Sequence, residues 1–295
     1  MTEWMGVGGK RVVITGATNG IGLAAAEELA KRGAKLALVA RSEERAQAAV
    51  RRISTAAGIG TEVDVLSADL SSQGSVRKLA EEIQQRYPRV DVLVNNAGAI
   101  NEKRHVTDDG IELTWAVNHL APFLLTNLLL DRLKESAPAR IITTSSDAHT
   151  SAKEGIPFDD LNAERSYAVR GFRRYGETKL ANILFTAELG RRLEGTGVTA
   201  NCFHPGLVAT GFNKNNGPIM KIAMLFARPF SRSPAKGAET LVWLTDSTEV
   251  SAENGGYFVD EKRATPNAPG QDMEAAKRLW EISEEQTSLG AAAGR

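Results

Sequence analysis

Cysteine is almost missing from this chain. Cys202 is the sole example among 295 residues, so no intrachain disulfide can form and no thiolate cluster can hold a metal. Histidine is scarce as well: His105, His119, His149 and His204 are scattered and lack ligand spacing. Neither sign of charge is in excess. The 36 Lys and Arg balance 36 Asp and Glu, which removes the basic field that a nucleic-acid binder requires. Arg170, Arg173 and Arg174 do cluster, and they read as solvated or substrate-facing. No apolar run approaches the ~20 residues that span a bilayer, and Met1–Lys10 lacks the apolar core of a secretory leader. Repeats and Pro/Gly/Ser-rich linkers are missing too. Together these absences predict one domain over residues 1–295, in the cytoplasm, with a small molecule as its partner.

What is present is alternation. A hydrophobic fraction of 42 % is enough for a substantial core. Strand-like runs at Arg11–Thr15, Lys35–Ala40, Glu62–Leu66, Asp91–Asn95, Arg140–Ser146, Val198–Phe203 and Gly256–Val259 alternate with helical patterns. The helices are expected at Ile21–Arg32, Glu43–Ala57, Ser72–Tyr87, Ile111–Lys134, Phe172–Leu193 and Ala235–Leu244. The strand runs are apolar throughout, as strands covered on both faces are. The pattern predicts an α/β fold: a doubly wound, seven-stranded parallel sheet of Rossmann type with helices on both faces.

The first strand runs through Thr15-Gly16-Ala17-Thr18-Asn19-Gly20-Ile21-Gly22 straight into a helix. Gly16 permits a sharp exit from the strand, Gly20 lets backbone approach a pyrophosphate, and Gly22 lets helix and strand pack closely. The amides of the helix start then face phosphate charge. A tight βα turn without a ligand is the plainer reading of the same residues.

Tyr175 and Lys179 stand four residues apart within the Phe172–Leu193 helix. That spacing puts a phenol and an ammonium on one face, one turn apart. A phenol titrates near pH ~10. A close cation favours phenolate and lowers that value, which would suit the tyrosine to exchange a proton with a carbonyl or alcohol oxygen. The plain alternative is a solvated helix face. Ser146 ends the fifth strand, where the ligand crevice of an open parallel sheet lies, and its neighbour Ser145 points to the other face.

Taken in order, Thr15–Gly22, Asn95-Asn96-Ala97-Gly98, the strand-five serine, Tyr175-x-x-x-Lys179 and Pro205-Gly206 resemble the short-chain dehydrogenase/reductase family over nearly the whole chain. Three further stretches are similar to its retinol-dehydrogenase-like branch: Lys179–Phe185, His204–Thr210 and Leu279–Glu284. The resemblance implies an enzyme that interconverts an alcohol and a ketone or aldehyde with a nicotinamide cofactor. In it Tyr175 is the acid/base, Ser146 polarises the carbonyl, and Lys179 tunes Tyr175 and bonds the nicotinamide ribose. Asn118 would hold a water that links Lys179 to solvent, against the plainer reading of a helix-packing asparagine. Gly16, Thr18, Asn19, Gly20, Ile21 and Gly22 would cradle the cofactor. Asp69 and Leu70 would flank the adenine and Asn96, Ala97 and Gly98 would line the adenosine ribose, while Asn95 and Asn96 also read as sheet-end caps. Pro205, Gly206, Val208 and Thr210 would contact the carboxamide. Relatives are often dimers or tetramers, so a homo-oligomer is compatible.

Strand two ends in Ala40, where the family's NAD users carry an acid, and Arg41 follows. A missing carboxylate and an available guanidinium favour the 2′-phosphate of NADP(H) over NAD(H). Ser146 and Tyr175 are 29 positions apart, about twice the gap in many members. Residues 147–171 therefore read as an insertion over or beside the substrate site. A second loop is expected at about 207–233. Its apolar part, Ile219–Phe230, suits a lid over a bulky hydrophobic substrate, a short core helix, or an amphipathic helix at a membrane. Two rivals keep the fold: a nucleotide-binding regulator or scaffold without turnover, and a reductase of activated carbon–carbon double bonds.

Overall fold

The computed structural model describes residues 3–167, 171–208 and 231–289. Its centre is one sheet of order β3-β2-β1-β4-β5-β6-β7-β8. The strands are β1 (Arg11–Thr15), β2 (Lys35–Ala40), β3 (Val63–Ser67), β4 (Val92–Asn95), β5 (Ala139–Thr144), β6 (Val198–His204), β7 (Gly256–Val259) and β8 (Lys262–Ala264). The first seven are parallel, as the unbroken apolar runs require. Beyond the seven expected strands, β8 folds back antiparallel on β7, with Val259 paired to Lys262. Asp260 and Glu261 between them both have positive φ, 50° and 59°. That is the signature of a two-residue hairpin whose twist matches the strands, but without the Asn or Gly that usually announces it.

Helices cover both faces. On one side α1 (Gly20–Lys31) and α2 (Glu43–Ala57) pack with α8 (Pro234–Asp246) over Val12, Ile14, Leu36 and Leu38. On the other, α3 (Gln73–Arg86), α5 (Ala121–Leu128), α7 (Phe172–Arg192) and α9 (Met273–Gln286) cover Val13, Ala37, Val39 and Leu93. Odd and even strand positions thus feed separate cores, as the two-residue period of a strand demands. Chain order reverses between β1 and β4, so the carboxyl ends of these two strands open a crevice at the switch point.

The helix expected over Ile111–Lys134 is divided. It begins as α4 (Leu113–Trp115), widens into a π-helical turn at Ala116–Leu120, resumes as α5, and after Leu129 continues as α6 (Leu130–Glu135). Inserted π turns break the regular ladder and often mark functional positions. This one carries Asn118 and His119.

His119 is wholly buried. Its Nε2 meets Ser283 Oγ of α9 at 2.9 Å, and Trp115, Phe123 and Phe185 surround the ring. Burial pushes its pKa down to about 3, against the raising effect of the Asn182 side chain. The unfolded chain therefore binds a proton that the folded chain refuses between about pH 6.5 and 3. This contribution to stability is complete above about pH 6.5 and is lost as pH falls, at up to about 1.4 kcal/mol per pH unit. Urea midpoints between pH 6.5 and 5 should fall more steeply for the native protein than for His119→Gln. Equal slopes would show that His119 is not the responsible group.

Candidate active site

The glycine turn is built as its sequence requires. Gly16 has φ +70°, and a Cβ there would lie 2.8 Å from Ala97 Cα. A Cβ on Gly22 would lie 2.4 Å from Gly16 O and 2.5 Å from Asn96 Nδ2. Both glycines are thus fixed by close backbone approach. Asn19, at the N-cap of α1, makes no side-chain cap hydrogen bond, and the helix-start amides behind it carry the positive end of the helix dipole. Thr18 is half-buried and Ile21 packs at the turn's far side. This is a cradle that fits a dinucleotide pyrophosphate.

Around it the other sequence-predicted cofactor residues assemble. Asn96 Nδ2 donates to Thr15 O and Gly16 O at 3.1 and 3.2 Å, and Thr15 Oγ1 accepts from the Asn96 and Ala97 amides at 3.0 Å. The sheet-end capping role of Asn96 is therefore real, whatever else it does. Asp69 accepts from Ser71 N and Oγ at 2.9 and 2.7 Å. Burial alone would raise its pKa, but these bonds and the charge of Arg41 outweigh it and hold the carboxyl below its ordinary value. Arg41 is exposed at the end of β2, and half-buried Leu70 packs on the core below. Val208 comes back beside the turn: a Cβ on Gly237 would touch both Val208 and Ile21. Gly206, with φ +81°, carries the chain past Arg232. Thr210 and the apolar stretch Ile219–Phe230 lie outside the described residues.

The proton-transfer residues converge beside Gly98. Lys179 is buried, with Nζ 3.0 Å from Thr144 O and 5.3 Å from the Tyr175 ring centroid. A Cβ on Gly98 would sit 3.5 Å from Lys179 Nζ and 3.3 Å from Asn118 Oδ1. Ser146 lies just past the end of β5, which stops at Thr144 rather than at Ser146 as expected. It stays extended, with φ −167°, and caps a 3-10 turn by accepting from Ala148 N at 3.2 Å. Its side chain also lies near enough to the Tyr175 phenol to favour the phenolate.

The expected depression of the Tyr175 pKa is not what the packing yields. Burial is the larger effect and pushes the phenol up to about 12, with the Ser146 side chain acting the other way. The same burial pushes Lys179 down to about 8. Desolvation disfavours either charge here.

Asn118 is committed to structure. Its Oδ1 accepts from Ala99 N at 2.7 Å and its Nδ2 donates to Ala99 O at 2.8 Å and Thr178 Oγ1 at 3.0 Å. Thr178 Oγ1 donates to Tyr175 O at 2.7 Å. The side-chain amide thus brackets the loop after β4 to the helix of Tyr175.

Three contributors escaped the sequence reading. The Thr144 carbonyl holds Lys179. Ser145, expected to point to the other face, instead donates its hydroxyl to Lys179 O at 2.8 Å, on the same helix that carries Tyr175. His149 reaches Ser146. The Ser-Ser pair ending a strand could have signalled the second of these; nothing in spacing signals the other two.

The described part of the insertion, residues 147–167 and Gly171, is pinned to the catalytic helix and the loop after β4. A Cβ on Gly176 would lie 2.1 Å from Ser151 Oγ, and one on Gly171 would lie 1.9 Å from Asn101 O. Buried Arg174 pairs with Glu112 at 2.8 Å and Glu177 at 3.2 Å and donates to Leu161 O. Its guanidinium also lies 4.7 Å from the Trp115 ring centroid.

A crevice at the sheet switch point, a phosphate cradle and a Ser/Tyr/Lys cluster on β5 and α7 define a nucleotide-dependent oxidoreductase. The profile of the short chain dehydrogenase family matches residues 10–157, and the chain belongs to the short-chain dehydrogenase/reductase family, in its retinol-dehydrogenase-like branch. It is an oxidoreductase of the alcohol/carbonyl class. Human retinol dehydrogenase 14 is 43 % identical, over 95 % of this chain and 87 % of the relative. A protein of Streptomyces sp. (strain C5), named as a proposed daunorubicin C-13 ketoreductase, is 41 % identical over 94 % of this chain and 92 % of its own. The crystal structure of a Burkholderia cenocepacia J2315 short chain dehydrogenase in complex with NADP superposes with a TM-score of 0.67. It is 27 % identical, over 85 % of this chain and 96 % of that one. No helix among the described residues is long and apolar enough to cross a membrane.

Proposed function

We propose that the protein is an NADP(H)-dependent enzyme that interconverts an alcohol and a ketone or aldehyde, with a bulky apolar substrate. The observation that carries this is the convergence of Ser146, Tyr175 and Lys179 next to the cradle formed by Gly16, Gly20 and Gly22. The bound nicotinamide would supply or accept the hydride. Ser146 Oγ donates a hydrogen bond to the substrate oxygen and fixes it beside the phenol. Tyr175 gives that oxygen its proton in reduction and takes it back in oxidation. Lys179, held by Thr144 O, offsets the charge left on the phenol. Asn118 keeps the loop carrying Gly98 against this cluster. The described part of the insertion, residues 147–167, packs against the helix of Tyr175 through Ser151 and Leu161. The names of the retinol and daunorubicin relatives point to a bulky apolar substrate.

A panel of ketones, aldehydes and alcohols, followed by the absorbance of reduced cofactor, tests this reading. Tight NADPH binding with no oxidation across the panel would refute it. Arg41 stands where a 2′-phosphate would need a charge-assisted partner. The native protein should prefer NADPH, and Arg41→Asp should lower the NADPH/NADH ratio of kcat/KM by about 10–100-fold. A native preference for NADH would overturn the cofactor assignment.

A further inference from the structure

His149 lies outside the Ser/Tyr/Lys cluster, yet it grips the backbone of Ser146. It is 2 % exposed. Its Nδ1 lies 2.9 Å from Ser146 O, and that same carbonyl accepts from the His149 amide at 3.1 Å. On the far side of the ring, Nε2 faces the Asn267 amide at 3.3 Å. A carbonyl can only accept and a backbone amide can only donate. Nδ1 therefore carries the proton and Nε2 the lone pair: one neutral tautomer is fixed by its two partners.

The grip extends to the C-terminal part of the chain. Asn267 Nδ2 donates to His149 O at 3.4 Å, and Asn267 Oδ1 accepts from Gly270 N at 3.2 Å. The Tyr257 ring of β7 packs edge-on against the imidazole, centroids 5.3 Å apart. Ser146 itself sits past the last ladder bond of its strand, which is Ser145 N to Phe203 O at 2.8 Å; the N–H side of its carbonyl peptide, on Asp147, donates to His204 Nδ1 of β6 at 3.0 Å, and the carbonyl side is left to His149.

We infer that His149, braced by Asn267, is a positioning residue that fixes the Ser146 peptide and so aims its hydroxyl at the substrate oxygen. This rests on the catalytic reading of Ser146 above. Ser146 Oγ is spanned by the Ala148 amide, one residue before His149. A shift of the Ser146 backbone, once its carbonyl is released, would carry its hydroxyl away from the place it holds beside the Ala148 amide. Catalytic geometry is sensitive to displacements of this size.

Asparagine and glutamine separate the two ring nitrogens. The amide nitrogen of Asn stands near the place of Nδ1, and that of Gln near the place of Nε2. His149→Gln should lower kcat about tenfold with NADPH affinity unchanged, since one oriented hydrogen bond is lost. His149→Asn should restore kcat to within about threefold of native. The decisive measurement is the double-variant cycle with Ser146→Ala. If His149 acts through Ser146, the His149→Gln loss should vanish in the Ser146→Ala background. The same loss in both backgrounds, or equal losses for Asn and Gln, would reduce His149 to a packing residue and overturn the inference. Should His149→Gln fail to fold, Asn267→Ala replaces it. That variant should show a kcat loss confined to the Ser146-containing background, and an unchanged kcat overturns the brace. Native-like turnover by Ser146→Ala alone would sink the catalytic reading itself, an outcome the cycle reports separately.

Discussion

Tyr175→Phe is expected to cut turnover by about 10³-fold while leaving NADPH affinity nearly intact, the scale of a lost general acid/base. The packing explains the size of the effect. With its pKa pushed up to about 12 by burial, the phenol holds its proton at neutral pH and is loaded as a donor. Lys179, pushed down to about 8, sits close to the point where it can give up or regain a proton. Removing the oxygen leaves the ring, its packing and the Lys179 contact with Thr144 O in place, so binding and fold should persist. Single-turnover rates and NADPH titration on the purified variant check this. A variant that keeps most of its kcat would mean that another group transfers the proton.

Arg174→Ala should cost about 3–5 kcal/mol of stability, because it leaves a buried carboxylate without its cation. Arg174 and Glu112 have side chains 1 % and 0 % exposed. The substitution strands Glu112 without a cation, leaves Glu177 with Arg173 alone, abandons Leu161 O and removes the guanidinium from Trp115. A midpoint shift on the order of 10 °C follows for a chain of this size. Arg173→Ala is the internal control. Its side chain is 48 % exposed, and its bonds to Glu154 and Glu177 lie at the rim. It should change stability by less than about 1 kcal/mol. Thermal or urea unfolding of the two variants side by side gives the comparison, and similar shifts would contradict the reading of a buried charge clasp.

The parallel strands were legible because burial on both faces writes unbroken apolar runs. Strands β1, β2 and β7 occupy the expected residues without adjustment. The glycine turn was legible because only glycine tolerates such backbone contacts at Gly16 and Gly22. The π turn at Ala116–Leu120 was not, since the helix around it is buried almost all round and has no polar face whose rotation could mark the extra residue. Strand β8 hid behind Asp260-Glu261, a turn made by residues that rarely adopt positive φ. The helix Met273–Gln286 was seen only as the short motif Leu279–Glu284, although its buried face is Ala276, Leu279, Trp280 and Ser283.

At the site, Tyr175, Lys179 and Ser146 announced themselves by residue type, spacing and order. The sign of the Tyr175 pKa change did not, because spacing reports a neighbouring charge but not the loss of solvent around both groups. His149 stayed hidden for a further reason. Its partners are a backbone carbonyl three residues away and an amide at Asn267, 118 positions downstream, and side-chain patterns do not record main-chain acceptors.

Helix α9 also bears on the order of events during synthesis. The ribosome delivers Gly16 first and Tyr175 and Lys179 midway, but the Ser283 contact to His119, the Gln286 contact to the Trp115 indole and the Asn267 contact to His149 arrive last. A nascent chain can thus display the whole reactive set before any of these supports exist. Removal of residues 267–286 would therefore leave that reactive set without these three supports.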